Sequence, residues 1–274
     1  MPISKSVRRR SVLTMALGAL LAEAATSSAL AEPRPVTIYA PFALAGALDI
    51  IAEQYRKVRG VPIHVVYGPG SALNEFLRHN LGGEILFTAD SKWMNLALNE
   101  QLVIAGSKVD LLTCRLVLVR RRTSAGRELD LGDGMQLSDY LNVNGKLVMC
   151  DPQRAAEGRV GLASLKAMGL WAATEPRTEF TGTGKDAIEL VANDSESLGV
   201  VFDTDAAQEP GIEVAGIFPD GSHSPIVFSF ALTAGASQEA VSLSAFLRGS
   251  EAMTTFQQFG FQMVGHRHKP LLVP

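Results

Sequence analysis

Cysteine is almost missing from this chain: of 274 residues, only Cys114 and Cys150 carry thiols. Their separation, with no histidine near either, excludes a CxxC redox pair and a zinc site built on them. One disulfide remains open if the chain reaches an oxidising compartment; so does a pair of buried small hydrophobes. An excess of positive charge is also missing. Lys and Arg number 25 against 28 Asp and Glu, a net charge of −3, which argues against nucleic acid as a partner. A small anion is not excluded, because helix ends and backbone amides act locally. After the N-terminal leader no stretch reaches about 18 uncharged apolar residues, so no stable membrane insertion is expected. No G-x-S-x-G elbow or placed carboxylate joins Ser71, Ser222 and His223 into a hydrolase, so no catalytic residues and no enzyme are expected. Gly182-Thr183-Gly184-Lys185 lacks the spacing of a phosphate-binding loop. His266 and His268 read as a solvated tail ahead of a metal site, and no cofactor is expected.

The leader is the first feature that is present. Residues 1–31 combine Lys5, Arg8, Arg9 and Arg10 with the apolar run VLTMALGALLAEAA and end in Ala29-Leu30-Ala31, an export signal with an A-x-A cleavage site. Arg9-Arg10-Ser11-Val12-Leu13 fits the twin-arginine pattern as well as an ordinary Sec signal. No lipobox cysteine stands at the cleavage site. The expected product begins at Glu32, is exported to the periplasm, and carries a net charge of −6 once the four basic residues and Glu23 are removed.

The mature chain alternates strands and helices. VTIYA (36–40), a helix over 44–59, PIHVVYG (62–68), a helix over 71–80, ILFTA (85–89) and a helix over 91–100 predict a parallel, doubly wound unit. Asp90 or Ser91 caps the last of these helices, whose Trp93 and Met94 read as core, as does Trp171 further on. A second unit follows: RLVLVRR (115–121), a Gly/Asp/Ser-rich stretch over 124–138, KLVMCD (146–151), a helix over 158–169, a strand at 178–180, a helix over 184–193 and SLGVVFD (197–203). VAGIF (214–218), PIVFSFALT (225–233) and helices over 237–248 and 250–259, the last closed by Gly260, complete the chain. The expected organisation is lobe I over 32–112 plus 204–274 and lobe II over 113–203, with crossings near 111–114 and 203–206.

ADSKWM at 89–94 resembles the periplasmic molybdate-binding proteins of ABC importers. RLVLV, CDPQRAAEGR, GLW at 169–171, LGVVFDTDA at 198–206 and FPDGSHSPIVF at 218–228 extend that resemblance in the family's order over essentially the whole mature chain. It implies an α/β, two-lobed periplasmic-binding-protein clamshell of type II, each lobe a doubly wound sheet flanked by helices. It also implies a monomeric receptor that closes on a small anion, molybdate or tungstate, and delivers it to an ABC permease and ATPase complex.

A dianion taken out of water needs many neutral donors, which N–H groups at helix starts supply. The resemblance places the ligand-binding positions at Ala43, Gly70 with Ser71 beside it, Glu157, Gly184 and Phe202. Ala43 and Phe202 lack the hydroxyls the family has there, and Glu157 stands where a small residue is usual. An ionised Glu157 would repel a dianion by about 1–4 kcal/mol unless it swings outward or pairs with Arg154 or Arg159. Thr181, Thr183 and Lys185 are candidate replacement donors, or an ordinary helix cap. These departures leave a second cargo open: an organic carboxylate, a phosphorylated acid or a metal complex. A third reading is a non-transport surface-binding protein of the same shape.

Overall fold

The computed structural model describes residues 34–122, 129–131, 136–141 and 144–265. The leader with its cleavage site, most of the 124–138 stretch, His266 and His268 lie outside the described residues.

The first sheet grows from three short apolar strands. β1 (Val36–Ala40), β2 (Ile63–Tyr67) and β3 (Ile85–Thr88) run parallel, with β1 in the middle. All of β3 and most of β1 are buried, as expected of strands covered on both faces. α1 (Ala45–Arg59), entered through a 3-10 turn at Phe42–Leu44, links β1 to β2 and buries Ala47, Leu48, Ile51 and Tyr55. It ends at Gly60, whose φ of 70° only glycine adopts without strain, and Arg56, Lys57 and Arg59 favour the negative end of its dipole. α2 (Gly70–Arg78) and α3 (Ser91–Asn99) follow β2 and β3. Asp90 caps α3 by accepting the Trp93 amide. β4 (Val109–Thr113) then leads through Cys114 and Arg115 to the second sheet.

There β5 (Leu116–Arg121), β6 (Leu147–Cys150), β7 (Thr178–Thr181), β8 (Leu198–Phe202) and β9 (Ile212–Ile217) lie in the order β7-β6-β8-β5-β9. α4 (Ala156–Ala167), the single turns α5 (Trp171–Thr174) and α7 (Asp203–Ala206), and α6 (Gly184–Asn193) belong with this sheet. β10 (Val227–Leu232), α8 (Gln238–Leu247), α9 (Ser250–Gln258) and β11 (Gln262–Met263) return to the first, whose order is β11-β4-β10-β3-β1-β2. Each sheet has three parallel strands, and antiparallel neighbours extend it. The fold is α/β with two lobes.

The return crossing differs from the one expected near 203–206. α7 is one turn long and turns the chain back, so β9 pairs antiparallel with β5 and stays in the second sheet. The crossing therefore falls between β9 and β10. Phenylalanines join the lobes: Phe202 at the end of β8 packs edge-on against Phe228 of β10 at 5.9 Å, and Phe228 against Phe261 at 5.1 Å. No helix among the described residues is long and apolar enough to cross a membrane.

Candidate functional site

Helix starts converge where the two lobes face each other. The first turn of any helix leaves N–H groups without intrahelical partners. α3, α6 and α8 meet this with side-chain caps from Asp90, Thr183 and Ser237. The turn after Pro41 that leads into α1, the start of α2 after Pro69 and the start of α4 after Ala155 have no side-chain cap. All three open on one cavity of about 50 Å³, lined also by Thr88, Trp93, Cys150, Glu157, Gly184 and Phe202. A water needs about 10–15 Å³ measured this way, so the space suits a handful of heavy atoms.

Five of the six positions chosen from sequence line this cavity: Ala43, Gly70, Glu157, Gly184 and Phe202. Ser71 is not among its lining residues, so the turn does not slip to bring its hydroxyl in. Thr181 and Thr183 are used by the turn itself. The Thr183 hydroxyl accepts the Asp186 amide in a capping box, and the Thr181 hydroxyl donates to the Thr183 carbonyl. Lys185 is exposed and borders a second cavity of about 720 Å³, which shares Phe42 and Ala43 with the first. Ser222 and His223 take no part in the first cavity. The Ser222 hydroxyl contacts that of Ser164 at 2.5 Å, and His223 is on an exposed turn.

Glu157 neither swings outward nor pairs with an arginine. It is 6% exposed, and one carboxyl oxygen accepts the Phe202 amide at 2.8 Å while the other accepts the Cys150 thiol at 3.1 Å. Arg159 reaches across to the first lobe instead, bonding Asp90 through Nε and Nη2. Burial pushes Glu157 up to about 7, against the pull of the Cys150 and Phe202 hydrogen bonds. The Cys114 and Cys150 thiols are buried and unpaired, so the disulfide left open by sequence is not formed. Burial, and then nearby carboxylates, push both well above the ordinary thiol range.

Sequence reasoning missed two residues. Trp93, read as core, is only partly buried and lines the cavity, and its buried indole Nε1–H has no partner. Gly70 makes this placement fit: a β-carbon there would lie 2.3 Å from Trp93 Cδ1 and 2.9 Å from Nε1. The signal available was a tryptophan three residues after a capping aspartate at a strand end, which places an indole over the carboxyl edge of the sheet. Asp205 is the other. It lies beside Glu157 across Gly184, and burial followed by the Glu157 and Asp203 charges pushes its carboxyl well above the usual range. Nothing in FDTDA distinguishes it from a surface acid.

The family of bacterial extracellular solute-binding proteins matches residues 36–262. The molybdate-binding protein ModA of Escherichia coli (strain K12) is 26% identical over 253 residues, 92% of this chain and 98% of that protein. ModA of Haemophilus influenzae (strain ATCC 51907 / DSM 11121 / KW20 / Rd) is 25% identical, covering 73% of this chain and 78% of that one. Among solved structures, the periplasmic molybdate-binding protein of Azotobacter vinelandii superposes with a TM-score of 0.69 at 20% identity, covering 83% of this chain and 98% of that chain.

Proposed function

The chain belongs to the bacterial extracellular solute-binding proteins, and from that premise we propose that it captures a small oxyanion, molybdate or tungstate first, and hands it to an ABC permease and ATPase. The observation that carries this reading is the convergence of three helix starts without side-chain caps, together with the unpartnered Trp93 N–H, on a cavity sized for a few heavy atoms. Neutral N–H donors aligned with helix dipoles are the groups a dehydrated dianion requires. The names of the two bacterial relatives support molybdate, and those relatives are binding proteins. We place the mature protein in the periplasm as a monomer, exported by the Sec or twin-arginine route and cut after Ala31.

Capture proceeds by the lobes meeting around the anion, first-lobe donors from 42–44 and 70–72 facing second-lobe donors from 156–158 and the Gly184 turn. A second cargo class, an organic or phosphorylated acid or a metal complex, is favoured by one feature only: the Glu157 carboxyl on the cavity wall, with Asp205 behind it across Gly184. A thermal-shift screen against molybdate, tungstate, sulfate, phosphate, citrate and divalent metals separates the two. A melting point raised by molybdate or tungstate supports the oxyanion reading. A response to citrate or metals alone overturns it.

A further inference from the structure

Two acids meet on the second-lobe wall. The notch left by the missing side chain of Gly184 holds both: the place of a β-carbon there is 2.7 Å from Glu157 Oε2 and 2.8 Å from Asp205 Oδ2. These oxygens can be no further apart than the sum of those distances. The charged groups nearby are these: Lys185, Glu189 and Glu209 border the same second cavity as Asp205, and Arg159 keeps a buried Nη1 without a partner among the described residues. On α7, Asp203 accepts the Arg115 amide and Nε, each at 3.0 Å. On α4, Arg159 is bound to Asp90. On α6, Lys185 is exposed and Asp186 is held by the cap at Thr183. Cys150 on β6 and Cys114 after β4 are buried thiols. Glu157 is buried and Asp205 half-buried, and two carboxyls this close do not both ionise readily. Glu157 also lines the cavity itself, so an anion held there lies against its carboxyl.

Resting on the oxyanion reading above, we propose that the cargo is bound together with one proton, held by the Glu157–Asp205 pair and donated by the Glu157 carboxyl as a hydrogen bond to a ligand oxygen. No bond is made or broken other than this proton transfer: solvent supplies the proton when the anion arrives and takes it back when the anion leaves. A fully deprotonated dianion needs Glu157 neutral. An anion that carries its own acidic hydrogen, such as hydrogen phosphate, can instead donate to Glu157 in its ionised form. Glu157 thus decides which protonation state of the cargo is accepted. Without ligand this carboxyl titrates at about 7. Below that pH the donor is already in place; above it, affinity for a dianion falls toward tenfold per pH unit, because each binding event must draw a proton from solvent.

Calorimetry with molybdate on the mature protein, at pH 6 and pH 8.5 in two buffers of different ionisation enthalpy, tests this. The expected result is uptake of about one proton at pH 8.5 and affinity at least tenfold weaker there than at pH 6. Glu157→Gln, whose amide donates at every pH, should bind alike at both. Asp205→Asn should move the pH at which the wild-type affinity begins to fall. Equal wild-type affinities with no proton uptake would overturn the proposal while leaving oxyanion capture intact. If the folded protein binds none of molybdate, tungstate, sulfate and phosphate at either pH, the functional reading itself is wrong and this inference falls with it. Should the variants not fold, infrared spectra of wild type decide: a carboxylic-acid C=O band in the molybdate complex at pH 7.5 supports the proposal, and its absence overturns it.

Discussion

The two walls of the cavity hold their charge in opposite ways. The first-lobe wall, made by Phe42, Ala43, Gly70, Leu73, Phe87 and Trp93, carries no ionisable side chain and offers helix starts without side-chain caps and an indole N–H without a partner. The second-lobe wall offers a helix start too, but fills it with Glu157, which already takes the Phe202 amide and the Cys150 thiol for itself. One wall is a set of donors waiting for an acceptor. The other has supplied an acceptor from within, a carboxyl that burial favours in its neutral form while the Cys150 and Phe202 hydrogen bonds pull the other way.

The largest way to break this contrast is pH. Burial raises Glu157 in the folded chain to about 7 from its ordinary 4.5. Its contribution is therefore fully present below about 4.5 and is lost as pH rises to about 7. That shift corresponds to about 3 kcal/mol of folding stability. Urea midpoints measured across pH 4.5–8 should show this decline in wild type, and Glu157→Gln should flatten most of it. Next in size, Trp93→Phe removes the first-lobe N–H and keeps a ring. An unreplaced hydrogen bond to a charged group costs about 2 kcal/mol, so oxyanion affinity should fall about thirtyfold by calorimetry while the melting point of the free protein barely moves. Restoring to both walls the residues that the family resemblance implies is the third test. Ala43→Ser, Glu157→Ala and Phe202→Tyr together should raise molybdate affinity at pH 8 at least tenfold, about 1.4 kcal/mol, and an unchanged affinity would show that the backbone amides suffice. The smallest effect belongs to a donor the fold uses itself. Thr183→Ala removes the cap of α6 and should lower stability by about 1 kcal/mol in a denaturant titration, with the chemistry of the first wall untouched.

Most of the fold was legible because its signals are local. The apolar periodicity of Ala47, Leu48, Ile51 and Tyr55 marks α1, Gly60 its end, and Asp90 the start of α3. The strand pairing of β9 was not, since IEVAGI carries no mark of which sheet it joins; the one-turn length of α7 decides that. The cavity positions were found by resemblance, and the geometry gathers all but Ser71. What each side chain does there could not be read from the string. The inward turn of Glu157 depends on the Phe202 amide, 45 positions away, and on Arg159 having a partner in the other lobe. The exposed edge of Trp93 depends on an absent β-carbon at Gly70. Such facts belong to pairs of residues distant in sequence, where local pattern is silent.

The bond from Arg159 to Asp90 ties an element of the second lobe to one of the first, with the guanidinium also 5.6 Å from the centre of the Trp93 ring. Whenever the lobes separate, this contact has to open. On the capture proposed above, its loss is expected to act on departure more than on arrival. Both side chains are largely shielded, so ionic strength acts on the pair chiefly once it has begun to part. The residence time of a captured molecule should shorten in Asp90→Asn with little change in how fast the molecule enters. A transporter that pulled Arg159 or Asp90 away would, by that single contact, turn a slow receptor into a fast donor.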